Sequence, residues 1–327
     1  MDRLSRPLAD LRLSVTEHCN FRCTYCMPRE SGAPLKVTAQ REPRLSFDEL
    51  GVIAAAFTDL GVRKLRITGG EPLVRRNLHH LVAKLAQLPV LDLCMTTNGS
   101  LLADRAQALF DAGLKRVTVS LDALDELTFR RMTDSSTAIS SVLAGIERAR
   151  KVGLDPIKVN MVVQRGVNEH AIVPMAAWAR REQLELRFIE YMDVGCSNGW
   201  QPADVVTAAE IHDRIHRIWP LLAPSARNHD AAQRYCYADG LGQIGIVASI
   251  SKPFCGGCTR ARVSSRGEFH LCLFAPAAAD LGHALRQGQD VRPLIADAWL
   301  RRNDRYSELR AHAAISHERP EMSAIGG

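Results

Sequence analysis

The chain has 327 residues, 46% of them apolar and 24% charged, with a formal net charge of +6. That is room for one large α/β barrel domain with an added module, or for two ordinary domains, and the composition is that of a globular protein. No apolar run is long enough to span a bilayer, and residues 1–10 carry Arg3 and Arg6 but no apolar stretch of the leader type, so neither a membrane span nor a secretory signal is expected. The expected setting is the cytoplasm. The mild positive charge suits an anionic ligand and does not require nucleic acid.

Short strand-like and helix-like stretches alternate from residue 11 to 191. Strands are predicted at 11–15, 64–67, 91–95, 116–120, 157–163 and 186–191. The stretch 47–60 puts Leu50, Ile53, Ala54, Phe57 and Leu60 on one helical face, and Ser46 with Glu49 reads as a capping box. Residues 138–152 repeat the pattern. Six βα units imply a parallel sheet. Eight would close a barrel. The expectation is therefore an α/β partial (β/α)6 barrel spanning 1–195. A C-terminal module, 196–315, would close its open side, and a flexible tail, 316–327, ends in Gly326–Gly327. Within the module, 234–250 reads as short antiparallel strands and 251–272 as a loop-rich cysteine segment. The loop after each predicted barrel strand carries unusual residues. In parallel barrels function gathers at that rim.

Nine cysteines are present. A cytosolic setting argues against a disulfide framework. Cys94, Cys196 and Cys236 stand alone and read as small hydrophobes. The other six form two triplets. Cys19, Cys23 and Cys26 follow the first strand with x3 and x2 spacing. Three thiolates on one short loop can hold three corners of a [4Fe–4S] cubane, which ordinarily takes four cysteines, and leave one iron open. A Cys3His zinc site with His18 is the alternative, but His18 adjoins Cys19 and would compete with it sterically. With Tyr25 before the last cysteine, this loop resembles the radical S-adenosylmethionine (SAM) signature. Gly69–Gly70–Glu71–Pro72, one loop later, resembles the motif that superfamily uses for the SAM amino group. The resemblance implies SAM on the open iron. It also implies Tyr25, Gly69, Gly70 and Glu71 in the SAM site, Ser120 and Asn160 at the SAM carboxylate or ribose, and Met192 at the adenine.

Cys255, Cys258 and Cys272 form the second triplet, with x2 and x13 spacing. Zinc would need a fourth ligand that the spacing does not supply, so a second [4Fe–4S] cluster with an open iron is the reading. Seven cations accompany the rim or this triplet: Arg12, Lys64, Arg66, Lys158, Arg187, Arg260 and Arg262. Arginine inside a parallel strand is poorly explained by packing, and guanidinium forks suit phosphate. No phosphate-binding loop of the Gly-x4-Gly-Lys type occurs. From residue 11 to 327 the chain resembles the GTP 3′,8-cyclases of molybdenum cofactor biosynthesis. The segments 66–72, 95–99, 158–160, 187–192 and 305–310 carry the resemblance.

This resemblance implies two [4Fe–4S] clusters, SAM as cosubstrate and GTP as substrate, with Thr97 a further GTP contact. A 5′-deoxyadenosyl radical would abstract hydrogen from C3′ of GTP, and the C3′ radical would attack C8. Arg260, Arg262, Gly326 and Gly327 are the candidates for supporting that step, the Gly–Gly end by inserting toward the site. A reductant such as flavodoxin or ferredoxin, a downstream cyclic pyranopterin monophosphate synthase and a homodimeric assembly complete the implied partners.

Overall fold

The structure is a computed structural model, and it describes residues 1–27, 43–195, 197–224, 230–310 and 319–326. Cys196 and Gly327 lie outside the described residues. Six strands run parallel and side by side in chain order: β1 (Asp10–Ser14), β2 (Lys64–Thr68), β3 (Asp92–Thr97), β4 (Arg116–Ser120), β5 (Lys158–Val163) and β6 (Glu185–Glu190). Helices α1 (Phe47–Asp59), α2 (Leu78–Leu85), α3 (Leu102–Asp111), α4 (Glu126–Thr133), α5 (Ile139–Val152) and α6 (Ile172–Arg181) supply the crossovers, and α7 (Ala208–His216) follows β6. This is the expected partial barrel.

Strand alternation sets its two faces. Leu11, Leu13, Leu65, Ile67, Val117, Val119, Val159 and Phe188 are buried in one apolar core. Burial of each such side chain is worth roughly 1.5–3 kcal/mol. Arg12, Arg66, Thr118, Asn160 and Arg187 occupy the other parity and line a cavity instead. The first crossover begins at the predicted capping box: Ser46 Oγ accepts from Glu49 N–H at 3.1 Å, and Glu49 accepts from Ser46 N–H at 2.6 Å.

The later strands extend both open edges. β7 (Gln233–Cys236) and β8 (Gln243–Val247) form the expected antiparallel pair, and β8 joins β6 in parallel. β9 (Arg260–Val263) joins β1 in parallel, followed by antiparallel β10 (Glu268–His270) and β11 (Ala279–Asp280). Residues 251–272 are thus less loop-like than expected. Ala261, Val263 and Phe269 are fully buried and alternate with Arg260, Arg262 and Glu268, a strand pattern too short to stand out beside the glycines and cysteines. Helices α8 (Leu281–Arg286), α9 (Arg292–Arg301), α10 (Tyr306–Leu309) and α11 (Met322–Ile325) complete the described elements. Composition suggests a loose terminus, yet residues 319–326 are packed: Ser323 and Ile325 are buried, and α11 touches β1.

Candidate active site

The first cysteine loop leaves β1 and folds into a turn. Cys26 and Met27 N–H both donate to the Cys23 carbonyl at 2.9 Å. Its outer side is tied to the end of α4, where Arg22 and Thr24 N–H donate to Thr133 and Met132 carbonyls. The three thiols are partly exposed and free. Burial pushes Cys19 up to about 11 and Cys26 to about 12, and holds Cys23 well above its ordinary range. Two buried acids add to this: Glu71 beside Cys19 and Asp122 beside Cys23.

The loop after β2 packs backbone to backbone on this turn. Gly70 N–H donates to Thr16 O and Glu71 N–H to His18 O, both at 2.8 Å. A Cβ at Gly70 would collide with the His18 carbonyl, and one at Gly69 would lie 2.5 Å from Thr16 O. Here the glycines therefore permit close contact with the cysteine loop itself. Glu71 is 1% exposed and accepts from Leu73 N–H, Thr97 Oγ1 and Asn98 N–H at 2.9, 2.8 and 2.6 Å. Burial still carries it up to about 7. Tyr25 donates its hydroxyl to Asp122 at 3.0 Å, and burial raises Asp122 to about 7 as well. Thr97 thus faces Glu71; its neighbour Thr96 faces the cavity.

That cavity opens to solvent, and its empty space, the open mouth included, is about 1210 Å³. Strand register builds its wall: Arg262, Arg12 and Arg66 are direct neighbours across β9, β1 and β2. Ser120, Asn160 and Arg187 form a similar row across β4, β5 and β6. Arg66 donates to Thr96 and Thr118 hydroxyls at 2.9 and 3.1 Å. Burial, then Arg262, Arg260 and Arg66, hold Arg12 well below its ordinary range. The Nε atoms of Arg12 and Arg66 and the Asn160 amide oxygen are buried without hydrogen-bond partners among the described residues. Like charges packed together with unmet donors are destabilising by themselves, and a polyanion would relieve them.

Lys64 and Lys158 stand at the first positions of β2 and β5 and are not part of that wall. Lys64 pairs with Asp10 at 3.4 Å, and Lys158 with Glu185 at 2.7 Å. Glu185 also holds Arg187 at 2.7 Å.

Cys255, Cys258 and Cys272 lie on the same cavity, with Arg260, Arg262 and Met192. Burial alone would raise the Cys258 thiol, but Arg260 and Arg302 beside it bring it down to about 6. Among the described residues each triplet offers soft sulfur ligands without a fourth cysteine: Cys94 is fully buried and Cys236 is exposed on β7. Three thiols without a fourth fit a cluster that keeps one iron open. Gly326 reaches this wall, where its carbonyl accepts from Arg262, and a Cβ there would collide with Thr68.

Sequence reasoning missed several partners: Thr96 and Thr118 beside Arg66, Asp122 beneath Tyr25, and Asp193. The last accepts from Tyr306, Arg310 and Arg319 at 2.6, 3.0 and 2.9 Å and so ties α10 and the tail to the loop after β6. Asp122 and Asp193 each follow a barrel strand, so their positions were visible; their partners were not.

The chain matches the family model for the Radical SAM superfamily over residues 13–179 and that for Molybdenum Cofactor Synthesis C over residues 184–308. Relatives named GTP 3′,8-cyclase match along its whole length. One from Xanthomonas campestris pv. campestris (strain B100) is 50% identical, with 97% of that protein covered. Another from Acidothermus cellulolyticus is 52% identical and one from Staphylococcus aureus (strain MRSA252) 41%, each with 98% covered. Solved structures share the fold at low identity. Streptococcus suis SuiB bound to S-adenosylmethionine has a TM-score of 0.59 at 14% identity, over 82% of this chain and 60% of that one. Native anSMEcpe with bound AdoMet has 0.57 at 14%, over 84% and 78%. With both family models and relatives of this identity covering the full chain, this protein belongs to the GTP 3′,8-cyclase family of radical SAM enzymes.

Proposed function

We propose that the chain converts GTP to 3′,8-cyclo-7,8-dihydro-GTP, the first step of molybdenum cofactor biosynthesis. The observation that carries this reading is the shared cavity: the second cysteine triplet opens onto the same space as the neighbouring guanidiniums of Arg262, Arg12 and Arg66. GTP brings about four negative charges to such a wall, and arginine forks bind phosphate bidentately. When bound, SAM and the cluster supply a 5′-deoxyadenosyl radical that takes hydrogen from C3′ of GTP.

The chain's own residues bind and orient. Cys19, Cys23 and Cys26 hold one [4Fe–4S] cluster; Cys255, Cys258 and Cys272 hold the other. Glu71, with the backbone of Gly69 and Gly70, receives the SAM amino group. Ser120 and Asn160 serve the carboxylate or ribose, Met192 the adenine, and Tyr25 closes the loop above Asp122. Arg12, Arg66, Arg187, Arg260 and Arg262 receive the triphosphate, with Thr96 added to Thr97 as polar neighbours. Lys64 and Lys158 remain GTP candidates only if they leave their carboxylate partners Asp10 and Glu185. Gly326, whose carbonyl accepts from Arg262, and Gly327 support the radical step. The division into a barrel, 1–195, a cluster-binding module, 196–315, and a tail, 316–327, belongs to this proposal. So do a cytoplasmic setting, a flavodoxin or ferredoxin donor, a downstream synthase and a homodimer. Among the described residues no helix is long and apolar enough to cross a membrane.

The test is anaerobic incubation of the reconstituted protein with GTP, SAM and dithionite. The expected result is 5′-deoxyadenosine matched one for one by the cyclised nucleotide, identified by mass and NMR. SAM cleavage with GTP recovered intact would overturn the proposal.

A further inference from the structure

Residues 1–6 lie outside every motif named above, yet they end on the second cysteine triplet. Asp2 and Arg6 are 7% and 1% exposed. The Asp2 carboxylate folds the segment on itself, accepting from Leu4 and Arg6 N–H at 2.9 Å and from Arg6 Nε at 2.5 Å. A second guanidinium joins from just beyond α9: Arg302 Nη1 lies 3.2 Å from Asp2 Oδ2, and Arg302 is 2% exposed. Both arginines also donate to the backbone of the triplet, and Arg6 Nη1 reaches the Asp304 carbonyl as well, at 2.9 Å. Arg6 Nη1 donates to the Cys255 carbonyl at 2.8 Å. Arg302 Nη1 donates to the Cys258 carbonyl at 2.7 Å, and its Nε to Leu271, the residue before Cys272, at 3.0 Å. All three cysteines are therefore held through a carbonyl at or next to them, by two side chains sharing one carboxylate.

We propose that Asp2, Arg6 and Arg302 form a clamp that positions the second cysteine triplet and balances the charge of the cluster it holds. The inference rests on the second-cluster reading above. One carboxylate against two guanidiniums gives this trio one surplus positive charge, which faces the Cys258 thiol beside Arg302 and the Glu308 carboxylate near Arg6. A cubane core of charge two-plus on three thiolates carries one net negative charge, the complement of that surplus. Arg6 Nη2 is buried and has no hydrogen-bond partner among the described residues. A donor therefore remains on the very guanidinium that holds Cys255, and cluster sulfur accepts such bonds. A purely structural ion pair accounts for Arg6 and Asp2 together. It does not account for a second buried arginine on the same acid, or for three donors that end at the triplet. Arginine suits this work because its rigid fork can reach two acceptors at once.

The experiment uses the full chain after anaerobic reconstitution, as wild type and as Arg6→Met, Arg302→Met and Arg6→Lys. Iron per chain, the EPR spectrum of the reduced protein, its change on adding SAM, and far-UV circular dichroism are measured. Two clusters give about eight irons in the wild type. Each Met variant is expected to hold about four, with the SAM-induced EPR change and the dichroism retained. Arg6→Lys, which keeps the charge but not the fork, recovers part of the lost iron. Full iron with an unchanged second-cluster signal in both Met variants would overturn the clamp. Loss of all iron together with the dichroism would overturn it too, marking the network as a general fold staple. A wild type with only about four irons overturns the second-cluster reading, and the clamp with it, which separates that failure from the clamp's own.

Discussion

The two cysteine triplets sit in opposite electrostatic surroundings. Around the first, burial and the neighbouring acids Glu71 and Asp122 keep the thiols protonated, with Cys19 raised to about 11. Around the second, Arg260 and Arg302 overcome burial and lower Cys258 to about 6, while burial still carries Cys272 up to about 11. The same donor set, three thiols, thus has acids as neighbours in one site and arginines in the other. An acid-lined site suits the ammonium and sulfonium of SAM, and an arginine-lined one suits a nucleotide triphosphate. The fold produces this asymmetry through register. Arg12 on β1 lies between Arg66 and Arg262, while the loop leaving β1 turns away to meet the acids after β2 and β4.

The largest effect that can break this comparison comes from removing one region altogether. Replacing Cys255, Cys258 and Cys272 by Ala is expected to halve the iron and abolish cyclisation, while SAM cleavage uncoupled from GTP persists. Full iron content in that variant would remove the second site from the account. Next come the cations. Arg262→Ala or Arg12→Ala should weaken GTP binding by about 10- to 100-fold, since each removes a charge-assisted contact of roughly 1.5–3 kcal/mol. SAM affinity should stay within about twofold. Equal loss of both ligands, measured by anaerobic equilibrium binding, would mean that the arginines support the fold instead.

Much of this was legible in the chain. Six strands, the capping box of α1 and both triplets stand out because each is local: alternation, spacing and caps are written over a few neighbouring residues. The β7–β8 pair was visible for the same reason. What the sequence hid is pairwise. Nothing in Asp2, Arg6 or Arg302 announces that residues some three hundred positions apart share one carboxylate. Register across β9, β1 and β2, which makes three arginines neighbours, also follows only from folding. Thr96 and Thr97 could not be told apart until strand parity assigned one to the cavity and the other to Glu71. The tail reads as polar and loose, yet Ile325 is buried and Gly326 finds a donor in Arg262.

Smaller effects sharpen the contrast. Deleting Gly326 and Gly327 should leave iron content and melting temperature unchanged and strongly reduce cyclised product. A peptide of the last dozen or so residues, added in excess, should restore part of it by mass action. Unchanged activity would leave the tail without a role.

Smallest is a pH dependence of opposite sign in the two regions of the apo-protein. Burial raises Glu71 and Asp122 to about 7. The folded chain therefore keeps protons that the unfolded chain has released. Their stabilisation is fully present below the ordinary carboxylate range and is lost as pH rises through about 7. Cys258, lowered to about 6, contributes stability present above the ordinary thiol range and lost as pH falls through about 6. Thermal melts across this range should show Glu71→Gln flattening the loss on the alkaline side and Cys258→Ala flattening the loss on the acid side. Identical profiles for the two variants would erase the distinction.

The most direct test of opposite surroundings is the salt dependence of ligand binding. GTP and SAM are titrated separately, under anaerobic conditions, into the reconstituted protein at low and at high salt. Several arginine–phosphate contacts should weaken GTP binding by more than about tenfold over that range, while SAM binding changes by less than about threefold. Parallel slopes for the two ligands, or a steeper one for SAM, would contradict the account.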